Sequence, residues 1–439
     1  MSEVLAGLSH ALDITEGQPR GHAERCCLIG MRLARALEFD EHTRSSLFYA
    51  LLLKDAGCSS SAAKVAALFG ADDAVVKSSR RFIDSSSTPH ALLHVLRQAG
   101  AGDSMLVRGQ RVAAVLRSGQ AHARSLVKLR CERGAEIVRA IGLEETTARA
   151  LLDLDEHFNG GGYPEGRAGE DISLLGRVLC LVQTVEVFWA RGGPAAACEV
   201  ARRRRGTWFD PRLVDALISF EHDARFWNAL PTADPARFEP SDHVRIADPG
   251  TLDRVVHAFA SIVDAKSPYT STHSEGVADL SVALADALGL EPSERDTLYR
   301  AALLHDIGKL GVSNRILDKP GALTHSDWQI VRRHPLWSME ILSRVRAFEA
   351  IARIAAAHHE RLDGSGYHRG LWADQLDQPS RILAVADVAE ALSAARPYRP
   401  ALAPDEVLTA MARDTAGALD PEAVDALAGV LPAWSAGAR

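Results

Sequence analysis

Residues 302–312 read ALLHDIGKLGV, an apolar run that leads into the pair His305-Asp306 and continues through a glycine and a lysine. Apolar residues at three- and four-residue spacing, as in LYRAALLHDIG, predict a buried or amphipathic helix. A His-Asp pair alone is weak support for a metal site, because the chain has a second pair at His222-Asp223 without the following glycine or lysine. The interpretation of this stretch therefore depends on the other ligands that accompany it.

The second half of the chain contains further candidate metal ligands. Each candidate lies in or beside a predicted helix, so a helical bundle could direct all of them inward. The complete set is His273, His305, Asp306, His334, His358, His359 and Asp387. Seven groups exceed the three or four ligands that one zinc ion usually takes. They suit two six-coordinate divalent ions that share a bridging carboxylate.

The types of ligand indicate both the metal and the chemistry. Imidazole and carboxylate ligands without thiolates favour iron or manganese, with zinc, cobalt and nickel as alternatives. Two ions about 3.5–4 Å apart can hold a phosphodiester and an activated hydroxide for in-line attack. Lys309, one turn beyond Asp306, is a candidate phosphate contact, as are Arg396 and Arg399. The pattern predicts metal-assisted hydrolysis of a phosphate ester.

The chain also contains an internal repeat. GGGYPEG at 160–166 recurs as GSGYHRG at 364–370, and FDPRLVDAL at 209–217 recurs as LDPEAVDAL at 419–427. Between the copies, residues 229–250 carry four prolines among polar residues, which is typical of a linker. We therefore predict an all-α protein with two tandem helical bundles, 1–228 and 251–439, joined by the linker 229–250. The first bundle has an insert near 60–110.

Composition and charge argue against several classes of protein. The 439 residues carry a formal net charge of −7, which gives no overall reason to expect a nucleic-acid partner. The first residues lack the charged start and apolar core of a secretory signal, and no apolar run approaches the roughly 18 residues of a membrane span. Six cysteines without CxxC spacing are typical of reduced, buried thiols. We expect a cytoplasmic protein that binds neither DNA nor a membrane.

At these residues the second half resembles the HD-GYP family, a branch of the HD-domain metal-dependent phosphohydrolases. The resemblance covers most of 251–439. It rests on YTSTHS, HDIGKLGV, ILDKPGALT, RRHPLWSMEIL, AHHERLDGSGYHRG, RILAVADVAEAL and RPYRPAL, in the order and spacing of the family. The resemblance implies hydrolysis of cyclic di-GMP to pGpG or GMP at a centre of two or three metal ions, commonly iron or manganese.

The same resemblance implies roles for individual residues. The seven candidate ligands would hold the metal ions, Asp306 and Lys309 would be catalytic, and Lys309 and Arg396 would contact phosphate. A loop would help to build the substrate pocket and offer a surface to partner proteins; it consists of Asp363, Gly364, Gly366 and Tyr367.

Two departures from the family pattern concern this loop and the number of metal ions. His368 replaces the proline expected after Gly366-Tyr367, which removes a rigid φ constraint from the loop. Tyr269 stands where members of the three-metal type have a glutamate, whereas Glu390 is present as in that type. The mixed pattern favours two ions and leaves a third open.

The first half resembles a degenerate copy of the same family. An alignment of the two copies pairs Lys54 with His305, Cys131 with His334, Leu154 and Asp155 with His358 and His359, and Gln183 with Asp387. A lysine and a leucine in the ligand set are incompatible with a dinuclear centre. We therefore expect the first half to act as an intramolecular partner, a dimerisation surface or a sensory module.

The leading hypothesis is a cytoplasmic phosphodiesterase of cyclic di-GMP that uses two divalent metal ions. Because the ligands define hydrolysis better than they define the base, another cyclic dinucleotide or another phosphate ester stays open. A second hypothesis is a non-catalytic sensor or scaffold that retains its metal. A homodimer, and partner proteins that bind through the loop or the first half, are further expectations.

Overall fold

The computed structural model of the chain describes residues 1–83, 88–232, 234–240, 248–268, 272–395, 400–414 and 417–437. These ranges consist of α-helices, short 3₁₀ helices and their connections, and they contain isolated β-bridges but no β-strand. The predicted all-α fold is confirmed. Tyr269, Arg396 and Arg399, which the sequence analysis singled out, lie outside the described residues.

The α-helices are numbered here in chain order. Those of the first half are α1 (Ser2–Thr15), α2 (His22–Ala36), α3 (Glu41–Leu53), α4 (Ala62–Phe69), α5 (Asp73–Arg80), α6 (Thr88–Gln98), α7 (Met105–Ile141), α8 (Glu145–Asp153), α9 (Leu174–Arg203), α10 (Pro211–Ile218) and α11 (Ala224–Ala229). Those of the second half are α12 (Pro249–Asp264), α13 (His273–Ala287), α14 (Pro292–Leu304), α15 (Asn314–Leu317), α16 (His325–Val331), α17 (His334–Leu342), α18 (Glu349–Ala355), α19 (Gln378–Ser393), α20 (Pro404–Asp414) and α21 (Pro421–Gly437). Over the described ranges, none of these helices has both the length and the apolar character needed to span a bilayer.

Packing divides the chain into two compact units. The first unit comprises Met1–Val255 with Ser313–Asp318, and the second comprises Val256–Val312 with Lys319–Arg439. Each unit has its own buried apolar core. The six cysteines are buried in the first unit as free thiols, as expected. The predicted boundaries of the two bundles and of the linker remain predictions.

In the second unit, α13 packs against both α14 and α19. Val277, Leu280 and Leu284 of α13 are buried at three- and four-residue spacing, so one stripe of this helix faces the core. Helix α19 is buried along most of its length. Its start is set by Asp377, whose carboxylate accepts a hydrogen bond from the backbone N–H of Ser380 at 3.1 Å. These three helices carry candidate ligands, so this core determines where the ligands lie.

The 3₁₀ helix Ile307–Gly311 packs closely on α17. Gly308 permits this approach, because a Cβ atom there would lie 2.0 Å from the backbone oxygen of His334. Ser338 of α17 stabilises this contact through its hydroxyl, which donates a hydrogen bond to the backbone oxygen of His305 at 2.7 Å and accepts one from the N–H of Gly308 at 3.0 Å. The glycine of HDIGK is therefore a packing requirement of this turn.

We expect Ser338→Ala to lower the free energy of unfolding of the second unit by about 1–3 kcal/mol, because it leaves two buried backbone groups without their partner. Urea denaturation followed by circular dichroism measures the change. Ser293→Ala, at an exposed position of α14, is the matched control and should change little. An unaltered unfolding midpoint in Ser338→Ala would show that the hydroxyl does not hold this turn.

Candidate metal centre

The seven residues predicted as metal ligands converge inside the second unit. Six lie at or just beyond helix ends: His273 at α13, His305 and Asp306 at α14, His334 at α17, and His358 and His359 at α18. The seventh, Asp387, comes from within α19. All are buried except His359, whose side chain is 20% exposed. The centre is therefore enclosed, with one side near solvent.

Asp306 lies between two groups of histidines. Its Oδ1 is 3.3 Å from Nε2 of His334 and 3.7 Å from Nε2 of His358. Its Oδ2 is 3.4 Å from Nε2 of His305 and 3.6 Å from Nε2 of His273. The two oxygens of one carboxylate thus face two sets of imidazole nitrogens, as expected of a carboxylate that bridges two ions.

Each group is compact enough to surround one ion. The ligand atoms within each group lie within 4.8 Å of one another: His273, His305 and Asp387 form one group, and His334, His358 and His359 form the other. Two ligand atoms that bind the same ion at about 2.1 Å, with a right angle between the two bonds, lie roughly 3 Å apart. The separations of 3.3–3.7 Å around Asp306 are close to that spacing.

Backbone carbonyls orient three of the imidazole rings. Nδ1 of His305, His334 and His358 lies 2.6–2.7 Å from the backbone oxygen of the residue three positions earlier. Because a carbonyl oxygen only accepts, each Nδ1 carries the proton. Each Nε2 therefore presents its lone pair to the centre, which is the usual arrangement of a ligating histidine.

Two of the inward-facing atoms make no hydrogen bond within the described part of the chain, although both are buried: Nε2 of His305 and Oδ1 of Asp306. Buried polar atoms are rarely left in that state. Burial also lowers the pKa of His334 to about 4 and that of His359 to about 3, so both imidazoles are neutral and able to ligate. The residues present fit a pair of divalent cations.

Lys309 lies at the edge of the centre. Its Nζ is 2.5 Å from Oδ2 of Asp306, and 26% of its side chain is exposed. Burial alone would raise the pKa of Asp306, but the Lys309 ammonium and His305 hold it well below its usual range. Asp306 is therefore an anion, and Lys309 places a positive charge between it and the solvent.

The structure puts Glu390 behind His273. Oε2 of Glu390 contacts Nδ1 of His273, and Nε2 of the same ring faces Asp306 and Asp387. Burial would lower the pKa of His273, but the contacts with these three carboxylates raise it. A carboxylate behind a ligating imidazole fixes the orientation of the ring and increases its basicity. The signal in the sequence is the spacing of Glu390, one helical turn after Asp387.

We expect Glu390→Gln to weaken metal binding by about 10- to 100-fold, because a neutral amide supports the ring of His273 less well than a carboxylate. Competition with a chromogenic chelator, under anaerobic conditions for iron, measures the apparent dissociation constant. Glu422→Gln, at an exposed position of α21, is the control. Equal metal affinity in the two variants would rule out a supporting role for Glu390.

The loop after His359 is held by Glu360, which the sequence analysis did not single out. The buried carboxylate of Glu360 accepts hydrogen bonds from the backbone N–H groups of Arg369 and Leu371, at 2.8 and 2.9 Å. Gly366 packs on the same residue, since a Cβ atom at Gly366 would lie 2.4 Å from Cα of Glu360. The first copy has Glu156 at the equivalent position, in DEHFNGGGY. An acidic residue shared by both copies ahead of the loop is the sequence signal that indicates Glu360.

Within this loop, Tyr367 contacts the centre and Asp363 faces solvent. The Tyr367 and His359 rings pack with their centroids 4.8 Å apart. Asp363 is exposed, and its Oδ1 accepts hydrogen bonds from the hydroxyl and the N–H of Ser365, at 2.6 and 3.0 Å. The Tyr367–His368 peptide is cis. The structure therefore places Tyr367 against a candidate ligand, whereas Asp363 shapes the loop.

The first unit repeats this scaffold. His22 contacts Glu186 as His273 contacts Glu390. Glu156 accepts hydrogen bonds from three successive backbone N–H groups of its own loop, at 2.7–3.1 Å. Two supports of the second unit are thus present in the first unit as well: the carboxylate behind a histidine and the glutamate that holds a loop.

Protein cations lie in the first unit where the second unit has its candidate ligands. Lys54 contacts Asp55, and both residues are buried. The guanidinium of Arg81 is 3.0 Å from Oδ1 of Asp55 and 2.5 Å from Oε1 of Gln183. Arg81 follows α5 directly and lies within the range predicted to be an insert, 60–110. Arg81 therefore supplies a cation to the counterpart of the metal centre.

One pairing of the two copies needs correction. A Cβ atom at Gly57 would lie 1.9 Å from the backbone oxygen of Arg130, just as one at Gly308 would lie 2.0 Å from that of His334. Arg130 therefore corresponds to His334, and the predicted pairing of Cys131 with His334 is wrong by one residue. The close approach of the glycine to the neighbouring helix sets this register.

Known proteins are similar to this chain in sequence. A family model described as HD domain matches residues 116–213 and 257–423. The 3'3'-cGAMP-specific phosphodiesterase 3 of Vibrio cholerae is 41% identical over 432 residues, which cover 97% of this chain and 94% of that protein. The cyclic di-GMP phosphodiesterase response regulator RpfG of Xanthomonas campestris is 38% identical over 179 residues, 40% of this chain and 46% of that protein.

A solved structure extends the comparison to the fold. The crystal structure of a cyclic GMP-AMP specific phosphodiesterase of V. cholerae, V-cGAP3, matches with a TM-score of 0.66 and 38% identity. The match covers 98% of this chain and 97% of that one.

The helical fold and the two histidine groups around one carboxylate define a metal-dependent phosphohydrolase. The chain belongs to the HD-domain family, in its HD-GYP branch, as the motifs of the second half predicted.

Proposed function

We propose that the protein is a metal-dependent phosphodiesterase that hydrolyses cyclic dinucleotides in its second unit. The observation that carries this proposal is the position of Asp306, whose two oxygens face separate groups of histidines 3.3–3.7 Å away. Two divalent cations bound there would supply the charge that neutralises a phosphodiester and acidifies the attacking water. Iron or manganese suits the mixed imidazole and carboxylate ligands.

The chain's own residues have separate parts in this reaction. Asp306 lies between the two ligand groups and contributes one carboxylate oxygen to each. Lys309, partly exposed beside Asp306, binds a phosphate oxygen that gains negative charge during attack. Tyr367, packed on His359, forms one wall of the substrate pocket. Substrate contacts by Asp363, Gly366 and Arg396 remain predictions.

We propose 3'3'-cGAMP as the preferred substrate and cyclic di-GMP as the second candidate. The relative that matches 97% of this chain is a 3'3'-cGAMP-specific phosphodiesterase. Relatives named as cyclic di-GMP phosphodiesterases match 40% and 52% of it. The motifs of the second half favour cyclic di-GMP, but a metal centre would act on the phosphodiester that both molecules share. Discrimination between them must come from contacts with the one base that differs.

We expect Asp306→Ala to abolish hydrolysis of 3'3'-cGAMP and to lower the metal content, because both ligand groups lose their shared carboxylate. The assay uses the 439-residue protein reconstituted anaerobically with Fe(II) or Mn(II), chromatography of the products and elemental analysis of the metal. Asp279→Ala, at an exposed position of α13, is the matched control. Turnover that survives in Asp306→Ala would refute the proposed centre. Two bound metals without turnover of either dinucleotide in the unsubstituted protein would favour a sensor or scaffold.

The choice of substrate has its own test. With 3'3'-cGAMP and cyclic di-GMP mixed at equal concentration, we expect the ratio of kcat/KM to favour 3'3'-cGAMP at least about tenfold, since a buried polar contact to one base is worth that much or more. The same chromatogram separates linear dinucleotides from mononucleotides. A ratio below one would restore cyclic di-GMP as the substrate.

Several expectations about the surroundings of the site remain predictions. They are a third metal ion, a homodimer, a cytoplasmic location, and partner proteins that bind through the loop or the first unit.

A further inference from the structure

The first unit contains a cavity of about 140 Å³ at its own counterpart of the metal centre. One bound water molecule requires about 10–15 Å³, so the cavity is large enough for a phosphate group and part of its ester. Three lining residues correspond to candidate ligands of the second unit, namely Arg130, Asp155 and Gln183. The cavity is therefore placed in the first unit where the proposed active site is placed in the second.

Fixed cations dominate the wall of this cavity. It is lined by Lys77, Arg80, Arg81 and Arg130, against the two carboxylates of Glu16 and Asp155. Arg81 is bound to Asp55, Glu16 and Gln183, and Arg130 contacts Asp155. With four cations and two carboxylates among the lining residues, the wall carries a net positive charge.

Of the four cations in this wall, Arg80 is the one that no carboxylate contacts directly in the described part of the chain. Within the described residues, its guanidinium makes no hydrogen bond, ion pair or ring contact, although it lines the cavity. Nε of Arg130 is likewise buried there without an acceptor. Burial, together with the neighbouring charge of Arg130, lowers the pKa of Arg80. Holding such groups together costs stability unless an anion accompanies them, so their presence points to a negatively charged ligand.

We propose that this cavity binds the phosphodiester of a cyclic dinucleotide without cleaving it, so that the first unit senses the class of molecule that the second unit hydrolyses. Arg80 and Nε of Arg130 supply charge-assisted hydrogen bonds to the phosphate oxygens. The choice of a cyclic dinucleotide rests on the proposed function, whereas the anion site rests on the cavity and its cations alone.

The replacement of ligands by cations accounts for binding without hydrolysis. Guanidinium and ammonium groups neutralise a phosphodiester and donate hydrogen bonds to it, but they are donors only and take no proton from water at neutral pH. Asp55, the counterpart of Asp306, is engaged by Lys54 and Arg81. The carboxylate that bridges the ligand groups in the second unit is thus occupied in the first, and no nucleophile is generated.

The test is hydrogen exchange followed by mass spectrometry on the 439-residue Asp306→Ala protein, titrated with 3'3'-cGAMP. Chromatography confirms that the ligand stays intact. We expect slower exchange in peptides that cover α5 and the part of α7 around Arg130. In the additional variant Arg80→Gln, the ligand concentration for half-maximal protection should rise about 10- to 100-fold, the effect of one lost charged hydrogen bond.

Two controls separate a binding role of Arg80 from a structural one. Arg117→Gln, at an exposed position of α7, should leave the titration unchanged. The thermal midpoint of Arg80→Gln should not fall, because the guanidinium has no protein partner to lose. Arg80→Lys keeps the charge and should give an intermediate midpoint of the titration, which provides a second variant if Arg80→Gln folds poorly.

Three results would overturn the proposal. The first is no protection of the first unit at millimolar 3'3'-cGAMP, and the second is protection that Arg80→Gln does not weaken. The third is equal protection by inorganic phosphate at the same concentration, which would leave a general anion site. Because exchange is measured without turnover, these results are distinct from a failure of the unsubstituted enzyme to hydrolyse the dinucleotide.

Discussion

A single carboxylate shared between two groups of imidazoles is the constraint on which the second unit depends. Asp306 faces both groups because the chain turns sharply after α14, and this turn requires Gly308 to lie against α17. The hydroxyl of Ser338 ties the two segments together. Backbone carbonyls in the last turns of α14, α16 and α18 fix the tautomers of His305, His334 and His358. Six of the seven candidate ligands therefore lie at or just beyond helix ends, and the packed faces of the helices fix where these ends meet Asp387 of α19.

The two copies differ in the cations that can neutralise a buried carboxylate. Buried carboxylates at this position need cations, and in the second unit the ligand geometry suits divalent ions. In the first unit Lys54 and Arg81 neutralise Asp55, and they are part of the chain. A cation fixed to the chain needs no supply from solution, but it brings no Lewis acidity. One scaffold can thus support hydrolysis in one copy and binding in the other.

The sequence predicted the all-α fold, and it singled out the seven side chains that the structure brings together, because histidines and aspartates in or beside apolar helices are distinctive. Their role as metal ligands remains a prediction. It did not reveal Glu360 or Ser338, which act on backbone groups, since nothing in the residue type tells which N–H or carbonyl will be left without a partner. The register of Arg130 against His334 was also missed. This register depends on the contact of a glycine with a helix that is distant in sequence, and the residue types nearby do not indicate it.

Glu360 and its counterpart Glu156 hold their loops through main-chain N–H groups. Such hydrogen bonds are indifferent to the side chains of the residues they hold. Two loops of the same chain can therefore read GYPEG and GYHRG and still be held in the same way. These hydrogen bonds therefore leave the side chains at Pro164 and His368 open to change, whereas Gly162 and Gly366 are fixed by the backbone that a Cβ atom would meet. A search for the letters GYP alone would find the first copy of this chain and pass over the second, which reads GYH.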